Sequence, residues 1–203
     1  MCPPTRSEYE APTGDKPKAV RVWLLGGFSV SVGSRIIEDN KWRLRKAATL
    51  VKLLALAPGH RLHREQAMDL LWPDLGKKAV SNNLRQALYA ARKILARDRE
   101  MSAHYLTSEE ESLVLCPGGL LWVDVEAFEE AAATARRYQD PAAYRAALDL
   151  YAGELLPDDR YEEWAHDWRE QLRREYLELL VELAGLYEER GEYKAASRLV
   201  EGW

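Results

Sequence analysis

Six polar side chains in one short segment are of the types that read duplex DNA. Lys78, Asn82, Arg85, Gln86, Tyr89 and Lys93 recur at helical intervals. Wound at ~100° per residue with Leu84 at the centre of the buried side, they fall on or near the opposite side of one helix. An arginine fork matches guanine O6 and N7, Asn and Gln match adenine N6 and N7, and Tyr reaches a thymine methyl or a phosphate. Asn82, Arg85, Gln86 and Tyr89 are therefore candidate base readers. Lys77, Lys78, Arg92 and Lys93 are candidates for backbone phosphate, where Lys and Arg act as cations. A solvated helix face that is merely basic would have the same composition, so the flanking elements must separate the two readings.

A second set of cations lies upstream. Trp42, Arg43, Arg45 and Lys46 fall at the start of a helix, where free backbone N–H groups and the positive dipole end favour a phosphate. Trp42 also fits a core position. Arg61 and Arg64 flank the start of the next helix and are candidates of the same kind. His60, His63 and Glu65 have no third or fourth partner in view, so no metal site is expected. A phosphate loop, an H-E-x-x-H helix and a G-x-S-x-G elbow are all missing. Neither an enzymatic activity nor a cofactor is expected.

The elements that must position these residues follow from pattern. Val20 to Leu25, Phe28 to Val32 and Arg35 to Ile37 are short β-branched and aromatic runs cut by Gly26-Gly27 and Gly33-Ser34, which reads as a small antiparallel sheet. Ala47, Leu50, Val51, Leu54 and Ala55 then form a helical stripe that Pro58-Gly59 ends. A second helix is expected at about residues 63–71, and a third at about 77–97 with Val80, Leu84, Leu88, Ala91 and Leu95 inward. Strand-like runs at 104–107 and 112–115, separated by Ser108 and Glu109-Glu110-Glu111, predict a hairpin. Sheet, three helices and hairpin is the order of a winged helix-turn-helix, an α+β unit. The hairpin's three-carboxylate tip would be repelled by a phosphate-lined groove. His104, Tyr105, Thr107 and Ser108 are left as possible contacts at its base.

Composition supports this division. The 203 residues are 47% hydrophobic and 31% charged, with a net charge of −4. That charge is unevenly spread: residues 41–99 carry fourteen bases against four acids, and residues 124–203 carry twenty acids against ten bases. A basic surface acts locally once it lies more than ~8 to 10 Å from an acidic one. No apolar run approaches the ~18 to 20 residues of a bilayer span, and no secretory leader is visible, which predicts a cytoplasmic protein. Cys2 and Cys116 read as incidental thiols.

Beyond Pro117-Gly118-Gly119 the pattern is helical, with no strand signal. Ala135, Tyr138, Tyr144, Ala147 and Tyr151 are spaced as Ala184, Tyr187, Tyr193, Ala196 and Val200 are, which fits the helix pairs of tetratricopeptide repeats. A ~34-residue repeat would run past Trp203, so the last unit is expected to be truncated, with an apolar face on Tyr193, Ala196, Val200 and Trp203. The chain divides into a disordered tail (1–18), a winged-helix DNA-binding domain (19–119) and an all-α, tetratricopeptide-like domain (120–203).

Several blocks in order make the sequence resemble the SARP-type bacterial transcriptional activators, an OmpR-type winged helix joined to a bacterial transcriptional activator domain. They are Arg45-Lys46-Ala47, Leu53-Leu54-Ala55-Leu56-Ala57-Pro58-Gly59, Leu70-Leu71-Trp72-Pro73-Asp74 and Asn82-Asn83-Leu84-Arg85-Gln86-Ala87-Leu88, followed by Val123-Asp124-Val125-Glu126-Ala127-Phe128 and Ala147-Leu148-Asp149-Leu150-Tyr151-Ala152-Gly153-Glu154-Leu155-Leu156-Pro157. The resemblance implies sequence-specific binding to promoter DNA by two protomers, a homodimer on direct repeats, and recruitment of RNA polymerase through the loop Pro73, Asp74, Leu75 and Gly76. An alternative from another class is a protein-interaction adaptor with a basic docking surface. RNA is disfavoured, because a stacking platform is missing from the basic segment, where Trp42, Trp72 and Tyr89 are the aromatics.

Overall fold

The computed structural model describes residues 18–96 and 102–201. The expected tail, apart from Lys18, and Trp203 lie outside them. Strands β1 (Val20–Trp23), β2 (Ser29–Val32) and β3 (Arg35–Glu38) form the expected antiparallel meander. Their alternation buries Val20, Val22, Val30, Val32 and Ile37 on one face, as a half-buried sheet requires. Helices α1 (Arg45–Leu56), α2 (Arg64–Leu71) and α3 (Lys77–Leu95) follow. A short strand, β4 (Arg61–His63), precedes α2 and pairs with the hairpin β5 (Leu106–Glu109) and β6 (Ser112–Leu115) in the order β4-β6-β5. His63 caps α2: its Nδ1 accepts from the Glu65 N–H, and Gln66 reaches back to the His63 N–H. His63 is thus a helix cap.

Two expectations are corrected here. The segment read as a strand from His104 begins instead with a helical turn, α4 (Ser102–Tyr105), and Tyr105 is buried with its hydroxyl accepting from the Lys18 N–H at 3.0 Å. It is not a surface contact. A strand also does return after Gly119: β7 (Leu121–Val123) lies parallel to β1 and completes the sheet order β3-β2-β1-β7. Three residues are too short for a periodic signal, and β7 exists because β1 offers it an open edge.

Helices α5 (Asp124–Tyr138), α6 (Pro141–Leu150), α7 (His166–Glu189) and α8 (Tyr193–Glu201) make up the rest. Gln139 in the left-handed region ends α5, and Pro141 opens α6. Neighbouring helices pack in sequence order, α5 on α6, α6 on α7 and α7 on α8. The equivalent tyrosines have opposite environments. Tyr144 is 3% exposed and donates to Glu182 on α7, whereas its counterpart Tyr193 is 70% exposed. Tyr187 is 5% exposed beneath Arg145 of α6, and its counterpart Tyr138 is 66% exposed. Tyr187 of the second pair faces the preceding pair and Tyr144 of the first faces the following one, as stacking of repeats demands.

The two parts interlock. Asp124, at the head of α5, accepts from the backbone N–H groups of Leu24, Leu25 and Val125 at 2.8–3.0 Å. Burial pushes its carboxyl up to about 6, against those three donors. The Leu156 N–H donates to the Leu24 carbonyl and the Gly26 N–H to the Glu154 carbonyl. Gly26 has φ +78°, and a Cβ there would come within 2.9 Å of the Ala152 carbonyl oxygen, so only glycine fits. A further fastening is ionic: Lys52 Nζ, 3% exposed as a residue, contacts Asp159 at 2.6 Å and Asp39 at 3.3 Å and sits over the Phe28 ring.

Candidate nucleic-acid interface

α3 is divided lengthwise. Val80, Leu84, Ala87, Leu88, Ala91 and Leu95 are buried, and full burial of each Leu contributes roughly 1.5–3 kcal/mol toward holding the helix. Lys78, Asn82, Arg85, Gln86, Tyr89 and Lys93 are exposed, Tyr89 at 66%. The 3.6-residue period produces this division, and the buried stripe packs chiefly on α1, with α2, α4 and β5 beside it. Among the described residues no side-chain partner engages the Arg85 guanidinium, which leaves its fork open.

A groove of about 510 Å³ runs between α3 and the wing, and its lining includes Arg64, Ser81, Arg85, Tyr89, Arg92 and Ser108. The wing is fastened along this groove from both sides. Arg92 donates from Nε to the Leu106 carbonyl at 2.8 Å, and the Arg64 N–H donates to the Glu111 carbonyl at 2.7 Å. Arg61 Nη2 meets Glu109 Oε2 at 2.6 Å. Arg92 therefore splits its guanidinium between positioning β5 and facing the groove. Ser108, expected as a contact at the hairpin's base, lines the groove, and Ser81 joins it only through this geometry, because an isolated serine carries no sequence signal.

The loop between α2 and α3 is exposed at Pro73, Asp74, Leu75 and Gly76, with Leu75 48% exposed. Trp72 is half-buried against the core beneath it. Lys77 opens α3.

The upstream cations are placed elsewhere. Trp42 is a core residue, 7% exposed and 5.6 Å from the Phe28 ring centroid, so it cannot clamp a duplex. Arg45 reaches Asp159 at 3.5 Å and Lys46 reaches Glu162 at 3.9 Å, both carboxylates from the helical part. Arg43 stays exposed. The head of α1 thus faces the acidic half, and α3 faces solvent.

Among the described residues, no group of three or more His, Cys, Asp or Glu is arranged to hold a metal ion. His60 instead faces Glu126 at 3.4 Å. Cys116 is buried, which pushes its thiol up to about 12 and leaves it protonated. No described helix is long and apolar enough to cross a membrane.

The chain is thus a winged helix with an exposed polar row on α3, fastened to stacked helix pairs. Residues 123–203 match the family model of the bacterial transcriptional activator domain. Among solved structures, Mycobacterium tuberculosis EmbR in complex with a low-affinity phosphopeptide is similar, with a TM-score of 0.72 and 17% identity over 91% of this chain. The chain spans about half the length of that protein, 50% of which is covered. No curated protein sequence matches. Residues 123–203 are thus similar to the bacterial transcriptional activator domain, and the fold of the chain is similar to that of EmbR.

Proposed function

We propose that the chain binds specific duplex DNA through α3 and activates transcription by recruiting RNA polymerase. The observation that carries this is the exposed row Asn82, Arg85, Gln86 and Tyr89, open to solvent on a helix whose other side is buried. That row has the donors and acceptors of base edges. Arg64, Lys77, Lys78, Arg92 and Lys93 supply cations for phosphate on either side, with Arg61 joining once it is released from Glu109. The loop from Pro73 to Gly76 is the surface offered to polymerase, and two protomers occupy direct repeats.

Selection from a random duplex pool with the whole chain tests the reading. A recurrent motif, retained in gels with an affinity that falls log-linearly with salt, is the expected result. Equal retention of all sequences, or none at low salt, would overturn it in favour of an adaptor whose basic face docks another protein.

A further inference from the structure

The wing turn sets three carboxylates against the recognition cations. Glu109 is paired with Arg61, and Glu110 and Glu111 line the same groove as Arg64, Arg85 and Arg92. The turn is held there by its backbone: Glu110 adopts φ +50°, and the Glu111 carbonyl accepts from Arg64 at the head of α2. These carboxylates therefore sit inside the site, and a duplex entering the groove meets both signs of charge.

Their effect on phosphate and on base edges differs. Backbone phosphates carry full charge and are repelled by the turn while they are attracted to the arginines. Base edges are neutral and lose far less by the same neighbours. The sequence-independent part of binding is electrostatic and belongs to the phosphates. We infer that the Glu109–Glu111 turn is a specificity filter, an internal polyanion that competes with backbone phosphate for Arg61, Arg64 and Arg85 and so suppresses binding to non-cognate DNA. Discrimination by repelling the wrong partner is as effective as attracting the right one.

This inference rests on the proposed DNA binding, and the experiment separates the two. The full chain and its E110Q/E111Q variant are titrated with the selected duplex and with random duplex across a salt series. A second variant, E130Q/E188Q, removes two exposed carboxylates from α5 and α7 and reproduces the change in net charge. Thermal unfolding checks that each variant is folded. The expected result is that E110Q/E111Q binds random duplex about tenfold more tightly at ~50 mM salt and steepens the salt slope by about one to two, as Arg64 and Arg85 each take a phosphate that the neighbouring carboxylates no longer repel. The selected duplex gains less, so the specificity ratio falls, and E130Q/E188Q leaves it unchanged.

An unchanged ratio in E110Q/E111Q, or an equal change in E130Q/E188Q, overturns the filter and leaves DNA binding intact. Weaker binding to the selected duplex with relaxed preference at one base pair also overturns it, because the carboxylates would then be reading a cytosine amino group. A wild-type chain that retains no duplex at low salt overturns both readings.

Discussion

The heads of α1 and α3 are both basic, and by residue type both suit phosphate. They have opposite fates. At α1, Arg45 and Lys46 are met by Asp159 and Glu162, and Lys52 about two turns further on is sealed against Asp159. At α3, Asn82, Arg85 and Gln86 are open. What separates the two is whether the acidic half of the chain folds back over the helix, and it folds back over α1 because Asp124, Leu156 and Gly26 stitch it to the end of β1. Local charge says that a helix end wants an anion. It does not say whose.

The sharpest way to break this contrast is at Lys52. Lys52→Ala strands the buried Asp159 carboxylate, and a loss of about 3–5 kcal/mol is expected in chemical denaturation. Lys52→Met combined with Asp159→Leu should recover most of that loss, because a buried pair repays little beyond its desolvation. If the single substitution costs no more than an exposed pair would, the α1 side is not a sealed joint.

Arg85→Ala should leave the unfolding midpoint unchanged and cost ~1–3 kcal/mol of binding, concentrated at particular base pairs. Equal losses on selected and random duplex would make Arg85 a phosphate grip.

Asp124→Asn removes an acceptor from backbone N–H groups and should cost ~1–3 kcal/mol of stability. The pH dependence carries a sign. The folded-state value, about 6, lies above the ordinary 3.8, so the fold holds the proton more tightly than the unfolded chain does. This contribution is present in full below the ordinary value and is lost as pH rises through about 6. Denaturation midpoints measured at several pH values should therefore show a slope in that window for wild type that Asp124→Asn lacks.

The smallest effect is expected at Lys46. Its partner is Glu162, so Lys46→Ala should alter stability by less than ~1 kcal/mol. The salt slope of DNA binding should stay as it is, whereas Lys78→Ala should lower it by about one. A slope that falls by one for Lys46→Ala would return the head of α1 to the DNA-facing surface.

Periodicity alone determined much of this protein. The stripe from Val80 to Leu95 fixes which side of α3 is buried, and hence which side carries Asn82, Arg85, Gln86 and Tyr89. The Gly and Pro breaks delimit the meander, the helices and the helix pairs, because those residues act through their own φ and ψ. Only the tertiary structure decided the pairings between distant segments. Trp42 fitted a clamp or a core plug equally well until Phe28 was placed beside it. β7 is three residues long and owes its existence to the open edge of β1. Lys52 is buried only because Asp159, more than a hundred residues away, reaches it. Glu109 to Glu111 read as a tip repelled by phosphate, and only β4 and α2 draw the turn beside the arginines. In each case the deciding interaction is a contact between separate segments of the chain, and no local pattern encodes which segment will arrive.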